Sequence, residues 1–322
     1  MSFVSNQDAC NGLENLPVFF EGSVSQDDLP LFQYSPENVP GPGCETDPAE
    51  VTLPGCDCRS QSCQQGSCSC LETHSQAYNS QGRLKYLGEE KTEYSLPVFE
   101  CNALCGCSEA CSNRVVQRGL GLSLCVFPTH GKGWGVRALE PIPQGTFVCE
   151  YAGEVIGFEE ACRRQRAQKP GDMNYIIVVR EHAGEGKVGE TIVDPGTVGN
   201  VGRFLNHSCQ PNLFMVPVRV HSLVLRLALF AGRDIALGEE LTFDYSGGYN
   251  NPQGKGSHPS PGGQQAKGVG EEGFKRKPCH CGAHNCRLFL PLDVSVISNT
   301  YMSGPHHCSL VKGLHEKHSL DM

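Results

Sequence analysis

Nineteen cysteines in 322 residues are the side chains of this sequence with the clearest capacity for chemistry. Zinc at closed structural sites is tetrahedral and prefers thiolates, so nine clustered cysteines do not divide into isolated four-cysteine centres. Three zinc ions need twelve bonds, which six terminal and three bridging thiolates supply. The nine follow the spacings C-x-C-x4-C-x4-C-x-C and C-x3-C-x-C-x3-C: Cys56, Cys58, Cys63, Cys68, Cys70, Cys101, Cys105, Cys107 and Cys111. The spacing predicts a shared three-zinc cluster; the alternatives are two zinc centres with a spare thiol, or a disulfide-rich or redox-active knot.

A second cysteine block lies near the C-terminal end, where Cys279, Cys281 and Cys286 follow the spacing C-x-C-x4-C. Three thiolates leave a tetrahedral zinc one ligand short. His280 or His284 is a local candidate for the fourth ligand. The block therefore predicts a further zinc site, whose fourth ligand is either one of these histidines or a residue from elsewhere in the chain.

Charge is distributed unevenly along the chain. The formal net charge is -9, and residues 1–50 hold nine acidic side chains and no Lys or Arg. This arm is also proline-rich, so we expect it to be mostly extended, either solvated or docked through Leu31, Phe32 and Tyr34. The chain lacks a basic stripe and any run of about eighteen apolar residues. Direct DNA binding and membrane insertion are therefore not expected, and an acidic protein favours a basic partner.

The elements that must position any site lie between residues 120 and 245, where short β-rich runs alternate with turn residues. One helix is predicted from Phe158 to about Gln168. We therefore expect a mostly β (α+β) domain of several small sheets. Six strands are predicted: Ser123 to Phe127, Trp134 to Leu139, Thr146 to Tyr151, Tyr175 to Arg180, Thr191 to Asp194 and Leu223 to Ala231.

Three segments of this region carry unusual side chains. Residues 131–135 (GKGWG) place glycines around a tryptophan, residues 202–212 (GRFLNHSCQPN) concentrate polar groups, and residues 241–245 (LTFDY) end a strand in aromatics. Each alone fits a hairpin, a loop or a core edge. In this order, together with residues 150–154 (EYAGE) and both cysteine blocks, they resemble the SET-domain protein lysine methyltransferases over about residues 50 to 290.

The resemblance implies a SET fold and transfer of a methyl group from S-adenosylmethionine to a neutral lysine amine. It implies cofactor binding by Lys132, Gly133, Trp134, Tyr175, Arg203, Asn206 and His207, with Leu288 and Phe289 covering the cofactor. Tyr245, Tyr151, Asn206, His207 and Phe243 are the implied catalytic residues, and Phe at position 243 implies di- or trimethylation. Cys209 becomes the implied fourth ligand of the C-terminal zinc, which gives four zinc ions per chain.

The resemblance also implies a nuclear, chromosomal enzyme that acts on the histone H3 tail or the nucleosome. The pre-SET type indicates lysine 9, and likeness to one member of the family indicates lysine 36 or lysine 4. Competing hypotheses are a catalytically silent SET-fold scaffold that binds chromatin partners and a zinc-cluster DNA binder. The predicted organisation is an acidic arm (1–50), a pre-SET cluster (51–118), a SET domain (119–245), a flexible Gly/Pro-rich loop (246–278), a post-SET segment (279–295) and a C-terminal tail (296–322).

Overall fold

A computed structural model describes residues 4–22, 31–59, 61–85, 98–169, 172–182, 188–246 and 277–291. Short strands dominate these residues, and two α-helices and two 3₁₀ turns accompany them. The mostly β prediction is confirmed. The strands are β1 (Val4–Asp8), β2 (Val18–Glu21), β3 (Gln33–Tyr34), β4 (Val39–Pro40), β5 (Val98–Phe99), β6 (Leu124–Pro128), β7 (Trp134–Ala138), β8 (Phe147–Glu150), β9 (Gly153–Val155), β10 (Ile177–His182), β11 (Val188–Gly199), β12 (Asn206–His207), β13 (Leu213–Arg219), β14 (Arg226–Ala231) and β15 (Glu240–Phe243).

Three sheets make up the described strands. One has the order β1-β2-β6-β7-β15-β12, and a second has the order β10-β11-β9-β4 with β3 also paired to β11. The third has the order β5-β13-β14-β8. Strands β8 and β14 are almost entirely buried, because both faces of this sheet are covered by apolar side chains of the two largest cores.

The predicted helix is present as α2 (Phe158–Ala167) and follows the short helix α1 (Ser69–His74) along the chain. Glu159 and Glu160 lie in its first turn and Arg164 and Arg166 in its last, which complements the helix dipole. The helix ends at Ala167, three residues before Pro170, since the residue before a proline disfavours helical backbone.

The N-terminal arm is built into two of the three sheets. Strand β2 pairs in parallel with β6, β3 with the end of β11, and β4 with β9. The apolar side chains of Phe32 and Tyr34 pack inward, but Leu31 is 97% exposed. Docking therefore occurs through strand pairing together with Phe32 and Tyr34, and Leu31 takes no part in it.

Strand boundaries differ from those predicted where pairing comes from distant segments. The predicted strand Thr191 to Asp194 extends over Val188–Gly199, because β10, β9 and β3 all pair with it. The last predicted strand begins only at Arg226, and Leu223 is exposed. Most of the predicted loop 246–278 and the whole tail 296–322 lie outside the described residues. In the part of the chain that is described, no helix is long and apolar enough to span a bilayer.

Candidate active site and zinc centres

Two short segments far apart in sequence meet at the centre of the predicted site. Strand β12 pairs in parallel with β15, with Asn206 opposite Thr242 and His207 opposite Phe243. The 3₁₀ turn Val201–Phe204 leads into β12 and is buried throughout. This pairing brings the polar 202–212 segment and the aromatic end of residues 241–245 to the same place.

An aromatic cluster forms around Phe243. Its ring lies 4.9 Å from that of Tyr245 and 5.8 Å from that of Tyr151, measured between centroids. The Tyr245 hydroxyl donates to the Leu205 carbonyl at 2.8 Å, and the Tyr151 hydroxyl donates to the Tyr175 carbonyl at 2.7 Å. The rings of Tyr151 and Tyr245 therefore both contact Phe243, and each tyrosine hydroxyl is anchored on a backbone carbonyl.

Burial determines the protonation state of both phenols. Desolvation raises the pKa of Tyr245 and of Tyr151 well above the ordinary value for tyrosine. Both hydroxyls are therefore neutral hydrogen-bond donors across the physiological range. Desolvation in a buried site of this kind also disfavours a charged ammonium group, so an amine that enters it is shifted toward the neutral, nucleophilic form.

His207 connects this cluster to a cysteine. Its Nδ1 accepts the backbone N–H of Tyr245 at 3.2 Å, and its Nε2 lies 3.4 Å from the Cys209 sulfur. Desolvation lowers the pKa of His207 and so favours the neutral ring. Because Nδ1 accepts the Tyr245 N–H, that ring carries its proton on Nε2, which faces the Cys209 sulfur.

The glycine-flanked tryptophan lies beside Asn206. The Asn206 amide donates to the Trp134 carbonyl and to Glu240 Oε1, each at 3.0 Å. A Cβ at Gly135 would lie 3.1 Å from the Asn206 amide nitrogen, so close approach requires glycine there. Gly133 has φ +71° with open space where a side chain would project. The backbone at this point is accessible to a ligand.

The two predicted cofactor-binding cations differ in their partners. Lys132 Nζ is bound by both carboxylate oxygens of Glu240, at 2.8 and 2.7 Å. Arg203 is buried and donates to the carbonyls of Pro195 and Gly196, at 3.0 and 3.3 Å. No carboxylate lies within ion-pair distance of Arg203 among the described residues. A buried cation without a described carboxylate partner fits a ligand that carries a carboxylate, as S-adenosylmethionine does.

The C-terminal cysteine block closes over this region. Its three sulfurs and that of Cys209 lie within 4.8 Å of one another, in the set Cys209, Cys279, Cys281 and Cys286. The Asn285 amide donates to the Cys209 carbonyl at 3.3 Å, and the Arg287 backbone N–H donates to the Cys209 sulfur at 3.3 Å. Four thiol groups at this separation suit tetrahedral zinc, and neither neighbouring histidine belongs to the set.

The predicted covering residues lie directly after this block. Leu288 is 69% exposed and has a left-handed backbone with φ +67°. Phe289 is half-buried and forms an isolated bridge with Pro278. Neither belongs to the described apolar clusters around the aromatic site. Their role over the cofactor therefore stays a prediction.

The nine N-terminal cysteines gather into one cluster with Leu71. Three overlapping sets of four sulfurs fit a metal ion: Cys56, Cys58, Cys63, Cys68; Cys56, Cys70, Cys101, Cys105; and Cys56, Cys63, Cys101, Cys107. Cys111 belongs to none of these three sets, and its sulfur accepts the Cys63 backbone N–H at 3.3 Å. The donor chemistry suits thiolate ligands of zinc.

Two neighbours of the site were absent from the predicted residues. Glu240 binds both Lys132 and Asn206, and the alternation of Glu240 and Thr242 with buried residues along β15 is a period-two signal that places both on one face. Phe32 of the arm lies against Arg203, and no local pattern indicates which distant residue its ring contacts.

Comparison with known proteins agrees with this geometry. The SET domain family model matches residues 133–246, and the Pre-SET motif model matches residues 10–114. The histone-lysine N-methyltransferase SETMAR of Rattus norvegicus is 51% identical over 297 residues, 91% of this chain and 90% of that protein.

Solved structures share the architecture. The methyltransferase domain of human SETMAR superposes with a TM-score of 0.75 at 47% identity, covering 90% of this chain and 99% of that one. KRYPTONITE, solved with mCHH DNA, an H3(1–15) peptide and SAH, gives a TM-score of 0.64 at 31% identity over 89% of this chain and 54% of that one. The chain belongs to the SET-domain histone-lysine N-methyltransferases, as its sequence motifs indicated, and its resemblance to SETMAR is confirmed.

Proposed function

We propose that this chain uses S-adenosylmethionine to methylate a lysine of histone H3. The observation that carries the proposal is the aromatic cluster of Tyr151, Phe243 and Tyr245, closed on one side by the Cys209 thiol set. Bound S-adenosylmethionine supplies an electrophilic methyl group. The chain's own residues orient the acceptor amine, exclude water and favour its neutral form.

Seven residues are proposed to hold the methyl donor, and five to form the catalytic wall. Arg203 supports the first assignment as a buried cation without a described carboxylate partner, and Gly133 supports it as open backbone. Asn206 and His207 belong to both groups, since they connect the glycine-flanked Trp134 to Tyr245. The donor-holding set is Lys132, Gly133, Trp134, Tyr175, Arg203, Asn206 and His207; the wall is Tyr151, Asn206, His207, Phe243 and Tyr245.

Removing one hydroxyl tests the catalytic assignment. In Tyr245→Phe the Leu205 carbonyl loses its donor and the wall loses its polar anchor. We expect kcat/KM to fall by about 100-fold, the usual size of effect for a positioned hydrogen bond at a reacting centre. Methyl transfer from radiolabelled S-adenosylmethionine to recombinant nucleosomes measures it.

The matched control is Tyr78→Phe. Its hydroxyl is also buried and donates to Glu100 at 2.7 Å, but it lies in the pre-SET region. Activity of this variant should stay within about twofold of the parent chain. Full activity in Tyr245→Phe would contradict the catalytic assignment of Tyr245, whereas no transfer by the parent would instead support the catalytically silent chromatin-binding scaffold.

Product degree is proposed to extend to di- or trimethyl-lysine. Phe243 is 2% exposed and offers no hydroxyl that would hold a water or the amine and so limit methyl addition. Phe243→Tyr should shift the product toward monomethyl-lysine, as read by mass spectrometry of the H3 peptide. A parent enzyme that stops at monomethyl-lysine, with an unchanged product in Phe243→Tyr, would contradict the proposal.

Three candidate target lysines on H3 come from two resemblances. The SETMAR likeness indicates lysine 36 or lysine 4, and the nine-cysteine pre-SET type indicates lysine 9. Nucleosomes carrying Arg in place of each of these lysines in turn will identify the target, because only the correct substitution removes the radiolabel. We propose a nuclear, chromosomal location on the same grounds, with the histone tail or nucleosome as partner rather than free DNA.

Four zinc ions per chain are proposed. Cys56 appears in all three pre-SET donor sets, and Cys63 and Cys101 appear in two each, so these three thiolates are assigned as the bridging ligands. The remaining six are proposed as terminal ligands; five of them belong to these sets, and Cys111, whose sulfur accepts the Cys63 backbone N–H, is added because the three-zinc count requires it. The post-SET set would hold the fourth ion. Elemental analysis of the purified full chain should give about four zinc atoms.

A further inference from the structure

The N-terminal arm contributes an aromatic ring to the surroundings of Arg203. We propose that Phe32 is a positioning residue that holds the Arg203 guanidinium in place for binding of the methyl donor. The inference rests on the proposed function, which assigns Arg203 to the donor pocket. Phe32 acts through Arg203 in this arrangement.

Three aromatic rings lie close to the guanidinium of Arg203. Its Cζ atom is 4.2 Å from the ring centroid of Phe32, 4.9 Å from that of Tyr175 and 5.1 Å from that of Phe204. Two of its nitrogens donate to the carbonyls of Pro195 and Gly196. The carbonyls restrain the edge of the guanidinium and the rings restrain its faces, so Phe32 supplies a restraint that hydrogen bonds do not.

Arg203 depends on such contacts because it is buried. Desolvation lowers the pKa of Arg203, and no described carboxylate offsets its charge at ion-pair distance. Aromatic faces attract a desolvated guanidinium more strongly than an exposed one. Without the Phe32 ring, one face of the cation borders a gap and alternative rotamers become accessible.

The backbone around Phe32 fixes where its ring lies. Strand β3 begins at the next residue and pairs in parallel with Val198 and Gly199, at the end of β11. The Tyr34 hydroxyl accepts the Val201 N–H at 3.3 Å, and the Asn200 amide donates to the Pro36 carbonyl at 3.4 Å.

The Phe32 ring is also held from the side. It packs edge-on against the ring of Phe204, with centroids 5.6 Å apart and an interplanar angle of 79°. Phe204 directly follows Arg203 in the same 3₁₀ turn. These contacts fix the position of the arm relative to the turn that contains Arg203. The Phe32 ring is therefore already in place beside the guanidinium before any ligand binds.

The first test needs no cofactor. The Arg203 guanidinium carbon lies 4.2 Å from the Phe32 ring centroid, so the NMR signal of the nearby Nε–H in the isotope-labelled full chain should be shifted by the ring current. Phe32→Leu should move the signal toward its ordinary position, and Phe32→Tyr should restore the shift. Loss of the signal in Arg203→Lys assigns it. An unchanged signal in Phe32→Leu would overturn the proposal.

The second test measures binding of S-adenosylhomocysteine (SAH) to the zinc-loaded full chain by calorimetry. Loss of one cation–π contact in Phe32→Leu should weaken binding roughly three- to tenfold, with kcat at saturating donor little changed. Phe32→Tyr should bind as the parent does. If Phe32→Leu does not fold, Phe32→Met, which is also apolar but has no ring, replaces it.

The matched control is Phe99→Leu, because Phe99 also lies under an arginine, with its centroid 5.1 Å from Arg219 Cζ, but on β5 in the third sheet. It should bind SAH as the parent does; equal weakening in both variants would show a general loss of stability and overturn the proposal. A parent that does not bind SAH contradicts the proposed function itself. A parent that binds it, with Phe32→Leu unchanged, contradicts only the role of Phe32.

Discussion

Two cysteine-rich regions of the molecule use the same ligand chemistry in opposite settings. In the pre-SET cluster seven of the nine cysteines are buried, and every ligand comes from residues 56–111. In the post-SET set only Cys209 is buried, and the other three are partly exposed. One set lies within a single region of the chain, and the other joins a residue of the SET region to a segment seventy residues later.

With zinc bound as proposed, the two regions would use the metal differently. Apart from the cysteines, the pre-SET cluster includes one apolar side chain, Leu71, so metal binding would take the place of a hydrophobic core there. At the post-SET set, Cys209 lies two residues after His207, whose ring is hydrogen-bonded to Tyr245. A metal at this second position would hold together two segments of the catalytic region.

The largest effect is expected from a bridging ligand of the pre-SET cluster. Cys101→Ser removes a sulfur shared by two donor sets, and its neighbour Cys63 lies 3.7 Å away. We expect zinc content to fall from about four to about one per chain and the melting temperature to fall by roughly 10 °C or more. Elemental analysis and thermal unfolding measure both. A stable Cys101→Ser protein that keeps its zinc would remove the distinction between the two regions.

Substitution of a post-SET cysteine should lower stability less than substitution of a pre-SET cysteine does, but it should lower activity strongly. Cys209→Ser should lose one zinc and about 100-fold in kcat/KM, with the pre-SET cluster and most of the stability retained. The control is Cys162→Ser, which changes a buried cysteine of α2 outside both sets and should keep zinc and activity. Full activity in Cys209→Ser would show that the second zinc is not coupled to catalysis.

The smallest effect is expected from an ion pair at the edge of the second set. Arg287 Nη1 lies 3.4 Å from Asp244 Oδ2, and the arginine side chain is 46% exposed. Exposed pairs contribute at most about 1 kcal/mol, so Arg287→Ala should lower kcat/KM by less than about fivefold, and less still at high salt. Steady-state kinetics at two ionic strengths tests this. A loss as large as that of Cys209→Ser would mean that the ion pair, rather than the metal, holds the segment closed.

Ligand chemistry made much of the candidate site predictable from sequence. Thiolate spacing alone predicts a shared three-zinc cluster, because metal geometry restricts how nine cysteines are shared. The family motifs then indicate Cys209, which lies with the C-terminal cysteines in the structure. Helix α2 was also predictable, since its charged ends and the following proline are local signals.

The remaining features of the fold were harder to predict from sequence, because they depend on pairing between distant segments. Strand β13 and the extended β11 depend on partners elsewhere in the chain, and the arm's short strands carry no alternating pattern of their own. Leu31 and Phe32 are adjacent apolar residues, yet one is exposed and the other packs on Arg203. Which of the two docks is decided by the register of β3 on β11, and composition does not encode that register.

The arm's pairing also has a consequence for synthesis. Strands β2, β3 and β4 are made first, but their partners at Leu124, Val198 and Glu154 lie more than a hundred residues later. Contacts between residues so far apart in sequence form slowly, because long loops must close before any pairing energy is gained. The nascent chain therefore exposes unpaired arm strands until residue 199 has left the ribosome, and in this interval it is most vulnerable to aggregation.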